Sequence, residues 1–370
     1  MRAIVLPEPW KAVTAEREIP VPKQGEALLK MVCGGICGSD LASYRGQSAY
    51  VSYPRTIGHE FAAEVVEVGE NPYGIKKGML VTGNPYFNCG TCYSCRRGYV
   101  NACIHNETMG VQREGAFSDY FTMPVERLFD GAGIDPKELA LVEPFCISYH
   151  GVSRAELKPG DKVLIFGAGA IGILAGVAAK SFGAKAYITD IAEEKVKKAV
   201  NDFGLDGGFV NDSPEKLAEF IETVTGGDGF DATVEAVGAP ATFLACVKAV
   251  ASRGKMVVIG VAKKNADFNF LEVQRKELNM YGSRGATSDD FRAVLKLVRE
   301  GFVDLTKLIS RTYSADHAEE AFEDLDKNYG DSCCCYVYSF QSCYVCKFSY
   351  DRLWSRFSAC VWLLLRCRTL

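Results

Sequence analysis

Four cysteines stand close together in the chain, at Cys89, Cys92, Cys95 and Cys103. Their spacing places four thiolates in one loop, where they can surround a Zn²⁺ ion tetrahedrally and leave no coordination position open. A site closed in this way stabilises a loop and performs no reaction. In a reducing compartment such a cluster indicates a metal site rather than disulfide bonds. We therefore predict a structural zinc site at these four residues.

A second set of possible zinc ligands is dispersed along the chain. It comprises the thiol of Cys37, the imidazole of His59 and the carboxylate of Glu143. Three such ligands leave a fourth position for water or substrate, which is the composition of a catalytic zinc. Each residue taken alone also fits a structural role, as a buried thiol, a hydrogen-bonded core histidine or an acid at a helix N-terminus. Only their combination favours a catalytic metal.

A glycine-rich turn follows a predicted strand and opens a predicted helix, with the sequence Gly167-Ala168-Gly169-Ala170-Ile171-Gly172. Its glycines allow a tight turn, close approach of a pyrophosphate and close packing of helix on strand. Asp190 ends the next strand, where a carboxylate can bind the ribose hydroxyls of NAD and would repel the 2′-phosphate of NADP. Lys195 and Lys197 could reach a phosphate of the cofactor, but a solvated helix face fits them better. The candidate NAD-binding residues are Gly167, Gly169, Ile171, Gly172, Asp190 and Lys195.

Two sequence patterns must position these residues. Up to about residue 146, short alternating apolar runs such as 27–32 and 62–68 are punctuated by glycine and proline, which predicts an all-β or barrel-like unit. From about residue 157, continuous apolar runs alternate with helical stretches, which predicts βαβ units and a doubly wound parallel sheet. The predicted strands of that sheet are 162–166, 186–190, 208–211, 232–236, 255–260 and 278–281. Two later helices are predicted at 289–300 and from Ser314, as N-cap, to about 327.

The last residues, 332–370, differ from the rest. They contain seven of the 15 cysteines, no glycine or proline, and five Lys/Arg against one Asp; because the whole chain carries −4, residues 1–331 carry −8. This segment is either an appendage that binds a metal or partner, or sequence not selected to fold, as from a shifted reading frame. We predict a weakened C-terminus, and deletion of 340–370 is expected to preserve folding and activity.

The overall composition excludes several functions. The 370 residues are 48% hydrophobic and 24% charged, as in ordinary globular proteins of two domains. The net charge does not indicate a nucleic-acid or membrane partner. No apolar run approaches the roughly 18 residues of a membrane span, and the short apolar N-terminus does not fit a signal peptide. The expected location is cytoplasmic.

Taken together, the motifs resemble those of the medium-chain zinc alcohol dehydrogenase family over about residues 1–331. In order, they are Gly35-Ile36-Cys37-Gly38-Ser39-Asp40, Gly58-His59-Glu60, the four-cysteine loop, Glu143-Pro144 and the Gly167 turn. A carboxylate at Glu143 resembles the polyol and sugar dehydrogenase branch, since the alcohol dehydrogenases of the family have cysteine there. Three stretches are similar to L-galactonate 5-dehydrogenases and related sugar-acid dehydrogenases: 52–55, 142–145 and 282–287.

The resemblance implies an α/β architecture. A GroES-like β-barrel catalytic domain is expected at 1–146 and a doubly wound Rossmann NAD-binding domain at 147–284. The chain would return to the catalytic domain at 285–331 and end in the atypical segment 332–370. Within that segment, 335–338 is similar to the strand that closes the catalytic domain in the family. A homodimer or homotetramer is expected.

The resemblance also implies the chemistry. Two zinc ions per chain and NAD are expected, with Cys37, His59 and Glu143 at the catalytic zinc and Glu60 near it directly or during turnover. Zinc would act as a Lewis acid on the substrate hydroxyl, Ser39 resembles the relay for the proton, and nicotinamide would accept the hydride. The histidine that extends this relay in several relatives is absent, since 41–43 read Leu-Ala-Ser.

The substrate is expected to be a secondary alcohol on a polyol or sugar acid, with an L-galactonate-type aldonate favoured. Galactitol-phosphate, sorbitol or threonine are alternatives, as is a non-catalytic NAD-binding protein of the same fold. An aldonate carboxylate needs a cation, for which Arg284, Arg45 and Arg113 are candidates that also fit structural roles. His150, seven residues after Glu143, either lines the site or packs in the core.

Overall fold

A computed structural model of the chain describes residues 1–328 and 335–340. The strands are β1 (Arg2–Glu8), β2 (Lys11–Glu16), β3 (Glu26–Ile36), β4 (Arg55–Thr56), β5 (Glu60–Val68), β6 (Leu80–Gly83), β7 (Tyr86–Phe87), β8 (Glu107–Thr108), β9 (Tyr120–Pro124), β10 (Leu128–Asp130), β11 (Lys162–Phe166), β12 (Lys185–Asp190), β13 (Gly207–Val210), β14 (Phe230–Glu235), β15 (Val250–Val258), β16 (Asn279–Gly282), β17 (Ile309–Ser314) and β18 (Cys335–Ser339). The helices are α1 (Gly38–Tyr44), α2 (Tyr93–Arg96), α3 (Pro136–Ala140), α4 (Val142–Ser153), α5 (Ala170–Ser181), α6 (Glu193–Phe203), α7 (Pro214–Thr225), α8 (Pro240–Ala249), α9 (Leu271–Arg275), α10 (Ser288–Arg299) and α11 (Ala318–Asn328).

A mainly antiparallel sheet forms the part of the molecule that contains the predicted zinc ligands. Its strands follow the order β10-β6-β5-β3-β18-β17, and β9 pairs with the first half of β3. Two smaller sheets, β2-β1-β4 and β7-β8, flank it. The inner faces meet in an aromatic and aliphatic core, where Phe117 packs edge-on against Tyr338 at 5.3 Å between ring centroids. Apolar burial therefore fixes β3 and β5, the strands next to the candidate ligands.

The remaining strands form a parallel sheet of six, in the order β13-β12-β11-β14-β15-β16. This is the doubly wound arrangement that alternating strands and helices predict, with a topological switch point between β11 and β14. β11 is buried along Val163–Phe166, since helices cover both faces of the sheet. The predicted α/β fold, a GroES-like unit joined to a Rossmann-type unit, is confirmed.

After β16 the chain returns to the antiparallel sheet through α10, β17 and α11. Ser314 is an N-cap as expected, but of a short 3₁₀ turn, Ala315–His317, that precedes α11. The predicted closing strand is present as β18, which lies between β3 and β17.

Phe340 continues this packing. Its ring is buried, and its N–H donates to the Val32 carbonyl at 3.1 Å. The expectation that deletion from residue 340 onward is harmless is corrected, because residue 340 belongs to the core and only 341–370 lie beyond it. Residues 332–334 and 341–370 of the atypical segment lie outside the described residues. No helix within the described ranges is long and apolar enough to span a membrane.

Candidate active site and cofactor turn

Cys37 lies at the junction between β3 and α1. It is the N-cap of α1, and its N–H donates to the Asp40 carboxylate at 2.9 Å, which closes a capping box. Burial raises the pKa of the Cys37 thiol to about 11, with contributions from Asp40 and Glu143, while hydrogen bonds from Ser39 oppose the shift. Ser39, the predicted relay residue, is thus in contact with the predicted sulfur ligand.

His59 and Glu60 begin β5, directly opposite the end of β3. Gly35 pairs with Glu60 in the sheet, and a Cβ at Gly35 would lie 2.1 Å from the Glu60 carboxylate. A side chain at position 35 would therefore displace the Glu60 carboxylate from its present position. The candidate ligand atoms of Cys37, His59 and Glu60 all lie within 4.8 Å of one another.

Glu143 reaches the same pocket from the first turn of α4. Its carboxylate is buried and accepts a hydrogen bond from the Tyr86 hydroxyl. It raises the pKa values of both Cys37 and Glu60, which places it near them, although its oxygens are not part of the cluster of Cys37, His59 and Glu60. The Glu143 carboxylate therefore lies near the cluster of Cys37, His59 and Glu60 without being part of it.

The electrostatics of the pocket fit a cation. Burial raises the pKa of Glu143, and burial with the neighbouring Cys37 and Glu143 raises the pKa of Glu60 well above its ordinary value. Burial opposes protonation of His59, but the surrounding carboxylates outweigh it and raise its pKa. Several buried acidic groups around one imidazole are costly without a positive charge. A divalent ion would reverse these shifts, so the donor set fits zinc.

Asp40 is a functional candidate that the sequence interpretation assigned no role. Its Oδ1 lies 3.7 Å from the Nδ1 atom of His59, and neither atom has a hydrogen-bond partner among the described residues. A carboxylate on one ring nitrogen leaves the other available to a metal and fixes the ring orientation. The signal in the sequence that could have indicated Asp40 is the Cys-x-x-Asp spacing, which is that of a capping box.

The four-cysteine loop brings its sulfur atoms together without disulfide bonds. The Sγ–Sγ distances are 3.4 Å for Cys92–Cys95, 3.5 Å for Cys89–Cys103 and 3.9 Å for Cys92–Cys103. Four sulfurs about 2.3 Å from a tetrahedral zinc are separated by about 3.8 Å. Hydrogen bonds from Thr91 and from the Cys92 backbone lower the pKa of Cys89 to about 5, which favours the thiolate. The loop thus fits a zinc ion.

The glycine turn after β11 has the geometry that dinucleotide binding needs. Gly167 has a φ of 102°, and a Cβ at Gly172 would lie 1.7 Å from the Gly167 carbonyl oxygen. Gly169 is the N-cap of α5, and a Cβ there would meet nothing within 4 Å. Ile171 accepts a hydrogen bond from Ser148 of α4 at 2.8 Å, which fixes α5 against α4. The open space at Gly169 is where a phosphate could approach the helix N-terminus.

Asp190 lies at the end of β12, beside this turn. Its two oxygens accept the N–H groups of Ala168 at 2.7 Å and Ala192 at 3.0 Å. Each carboxylate oxygen retains a further lone pair for a ribose hydroxyl. Lys195 is half-buried in the first turn of α6, whereas Lys197 forms exposed ion pairs with Glu193 and Glu194, as expected of a solvated face.

The other candidate residues of the sequence analysis differ in whether their side chains already have partners. His150 uses both ring nitrogens, at 2.9 Å from Asp290 and 2.9 Å from Asn101, so it belongs to a satisfied network between α4 and α10. Arg45 is paired with Asp326 and Arg113 with Glu107. The Arg284 side chain is exposed, and within residues 1–328 and 335–340 it forms no ion pair or hydrogen bond.

Comparison with known proteins agrees with this geometry. Residues 23–132 match the model of the alcohol dehydrogenase GroES-like domain, and residues 170–300 match that of zinc-binding dehydrogenases. The L-galactonate-5-dehydrogenase of Escherichia coli K12 is 34% identical over 87% of this chain and 94% of its own length. The sorbitol dehydrogenase of Halalkalibacterium halodurans is 31% identical over 83% and 90%. An alcohol dehydrogenase of Escherichia coli CFT073, solved with NADH, superposes with a TM-score of 0.84 at 28% identity, covering 92% of this chain and 99% of its own.

The chain therefore belongs to the zinc-type medium-chain alcohol and polyol dehydrogenase family. It is an oxidoreductase that acts on CH–OH donors with zinc and NAD as cofactors.

Proposed function

We propose that the protein oxidises a secondary alcohol of a sugar acid, with an L-galactonate-type aldonate as substrate, to the ketone. The observation that carries the proposal is the cluster of Cys37, His59 and Glu60, with the buried Glu143 carboxylate near it. Cys37, His59 and Glu143 would hold the catalytic zinc, with Glu60 as an exchanging carboxylate. Zinc bound there would supply a Lewis acid for the substrate oxygen, and NAD would accept the hydride. Ser39 Oγ would accept the substrate proton while its own hydroxyl proton passes outward to solvent, so the serine remains neutral.

The remaining cofactor assignments follow the same geometry. The structural zinc would be held by Cys89, Cys92, Cys95 and Cys103. The NAD pyrophosphate would lie against the turn of Gly167, Gly169, Ile171 and Gly172, with the ribose on Asp190 and Lys195 near the cofactor. The domain limits 1–146, 147–284 and 285–331 are part of the proposal.

The substrate class rests on Arg284 and on the similarity to L-galactonate-5-dehydrogenase. Arg284 follows the carboxyl end of β16, the edge of the sheet where cofactors bind in doubly wound folds. The adjacent Gly285 lies next to Tyr86, since a Cβ there would be 3.8 Å from the Tyr86 ring. Tyr86 in turn contacts Glu143. Arg284 is exposed and has no side-chain partner among residues 1–328 and 335–340, and its chain neighbour Gly285 lies near Tyr86, so its guanidinium fits a substrate carboxylate.

The test combines metal analysis with NADH formation on a panel of L-galactonate, sorbitol, galactitol 1-phosphate and L-threonine. We expect two zinc ions per chain and the highest kcat/KM for the aldonate. Arg284→Gln should raise KM for L-galactonate at least about tenfold, as expected for a lost charged hydrogen bond, and leave KM for sorbitol unchanged. Arg292→Gln, on the exposed face of α10, is the control. Preference for a neutral polyol, or equal effects on both substrates, would contradict the aldonate assignment.

We also propose that the chain forms a homodimer or homotetramer in the cytoplasm. β16 is the edge strand of the parallel sheet, and the apolar residues Val261, Phe270 and Leu271 between β15 and β16 are exposed. Such a surface beside an open strand edge fits a second copy of the chain. Light scattering should give a multiple of the 40.4 kDa chain mass, and Phe270→Asp should lower it.

A further inference from the structure

Tyr86 is connected to both predicted metal sites, to one through its side chain and to the other through its backbone. Its hydroxyl donates to Oε1 of Glu143, while its backbone belongs to β7, which leads directly into the four-cysteine loop. A carboxylate with one oxygen occupied in this way offers its other oxygen to a metal.

The segment Tyr86–Cys89 is held firmly. The Tyr86 N–H donates to Asn84 at 3.0 Å. Arg127 donates to the Tyr86 carbonyl at 2.6 Å and to the Asn88 side chain at 3.0 Å, and its guanidinium lies 4.5 Å from the centre of the Phe87 ring. At the far end, the Cys89 N–H donates to the sulfur of Cys103 at 3.3 Å. A displacement of this segment would therefore move the Tyr86 hydroxyl.

We propose that Tyr86 is a positioning residue that orients Glu143 for the catalytic metal, and that Arg127 fixes Tyr86 in this position. The inference rests on the proposed role of Glu143 as a metal ligand. A positioning role for Tyr86 explains why the Glu143 carboxylate, which lies beside the cluster of Cys37, His59 and Glu60, accepts a hydrogen bond from a residue of another segment. Outer partners of this kind typically change metal affinity by about 10–100-fold.

The experiment measures zinc affinity by chelator competition on the full chain, with separate determination of the four-cysteine zinc. Tyr86→Phe removes only the hydroxyl and should weaken zinc binding at the catalytic site about tenfold or more. Zinc in the four-cysteine loop should be unaffected, the absorption spectrum of the cobalt-substituted protein should change, and kcat should fall more than KM rises. Tyr99→Phe, an exposed tyrosine of the same loop, is the matched control.

Glu143→Gln separates the two proposals. If Glu143→Gln loses the catalytic zinc while Tyr86→Phe retains wild-type affinity and spectrum, the positioning role is overturned and the ligand assignment stands. If both variants keep wild-type affinity, the ligand assignment itself fails. Arg127→Gln should weaken the catalytic zinc several-fold in the wild-type background and have no further effect in the Tyr86→Phe background. Equal effects in the two backgrounds would refute the action of Arg127 through Tyr86.

Discussion

At the scale of single residues, Asp190 should decide between the two dinucleotides. A carboxylate on the ribose hydroxyls repels the additional phosphate of NADP, because two negative charges would be brought together with little water between them. Asp190→Ala is expected to lower kcat/KM for NAD about 10–100-fold, as for lost hydrogen bonds to a charged group, and to raise it for NADP. Initial rates with both cofactors measure the change.

The control for Asp190 is Asp212→Ala, which removes an exposed acid paired with Lys216. Surface pairs of this type contribute little, so its cofactor preference should match the wild type. An Asp190→Ala protein that still rejects NADP would show that another group sets the selectivity.

Asp290 should make stability depend on pH. Burial opposes its ionisation, but hydrogen bonds from His150 and Thr287 outweigh burial and hold the pKa of this carboxyl below its ordinary value. A lowered pKa in the folded state adds stability above the unfolded pKa of about 3.9, which is lost as the pH falls through the folded pKa. Asp290→Asn should cost about 1–3 kcal/mol of unfolding free energy at pH 7, and the difference should shrink below pH of about 4.

Urea unfolding across this pH range tests the Asp290 prediction. Asp289→Asn is the matched control, since the Asp289 side chain is 92% exposed and forms a surface ion pair with Arg292. It should change the unfolding free energy by less than about 0.5 kcal/mol at every pH. A constant cost of Asp290→Asn down to low pH would contradict the assigned cause.

At the scale of elements, a substitution in the turn between β11 and α5 should affect cofactor binding without affecting folding. Gly169→Ala should fold normally, because its backbone is extended and a Cβ there meets no protein atom, but the methyl group would occupy the space proposed for the pyrophosphate. We expect NADH affinity to fall about tenfold or more with little change in Tm.

Gly172→Ala and Gly69→Ala complete the Gly169 experiment. Gly172→Ala should lower Tm as well as affinity, since its Cβ would collide with the Gly167 carbonyl. Gly69→Ala, at another open position, should change neither quantity. NADH fluorescence titration and thermal unfolding supply the two measurements, and unchanged affinity in Gly169→Ala would refute the proposed phosphate position.

The elements also show what the sequence could predict. A continuous apolar run located β11, because a strand covered by helices on both faces is mostly apolar, and the predicted strand 186–190 located β12 within one residue. β15 starts at Val250, five residues before the predicted 255, because Ser252-Arg253-Gly254 interrupt the run where pairing with β14 shifts register. Contacts such as Tyr86–Glu143 join residues 57 positions apart, so no local pattern indicates them.

At the scale of the whole molecule, the chain must return to its first sheet to complete it. β18 pairs with β3 on one side and β17 on the other, so without it these two strands would lose their shared partner. Tyr338 is fully buried, and its hydroxyl donates to the Ala318 carbonyl of α11 at 3.0 Å. Cys37 follows directly after β3, so the closing strand supports the candidate metal site itself.

Two truncations test this dependence. A chain of residues 1–340 should fold and retain dehydrogenase activity, because it keeps β18 and Phe340. A chain of residues 1–334 should unfold or aggregate, because loss of one buried aromatic side chain alone costs about 3–5 kcal/mol, a large part of the 5–15 kcal/mol that typically stabilises a domain. Thermal unfolding and NADH formation by both chains, beside the full chain, give the answer. Activity in 1–334 would mean that the first sheet closes without β18, whereas an inactive 1–340 would mean that residues beyond 340 contribute to the fold despite their atypical composition.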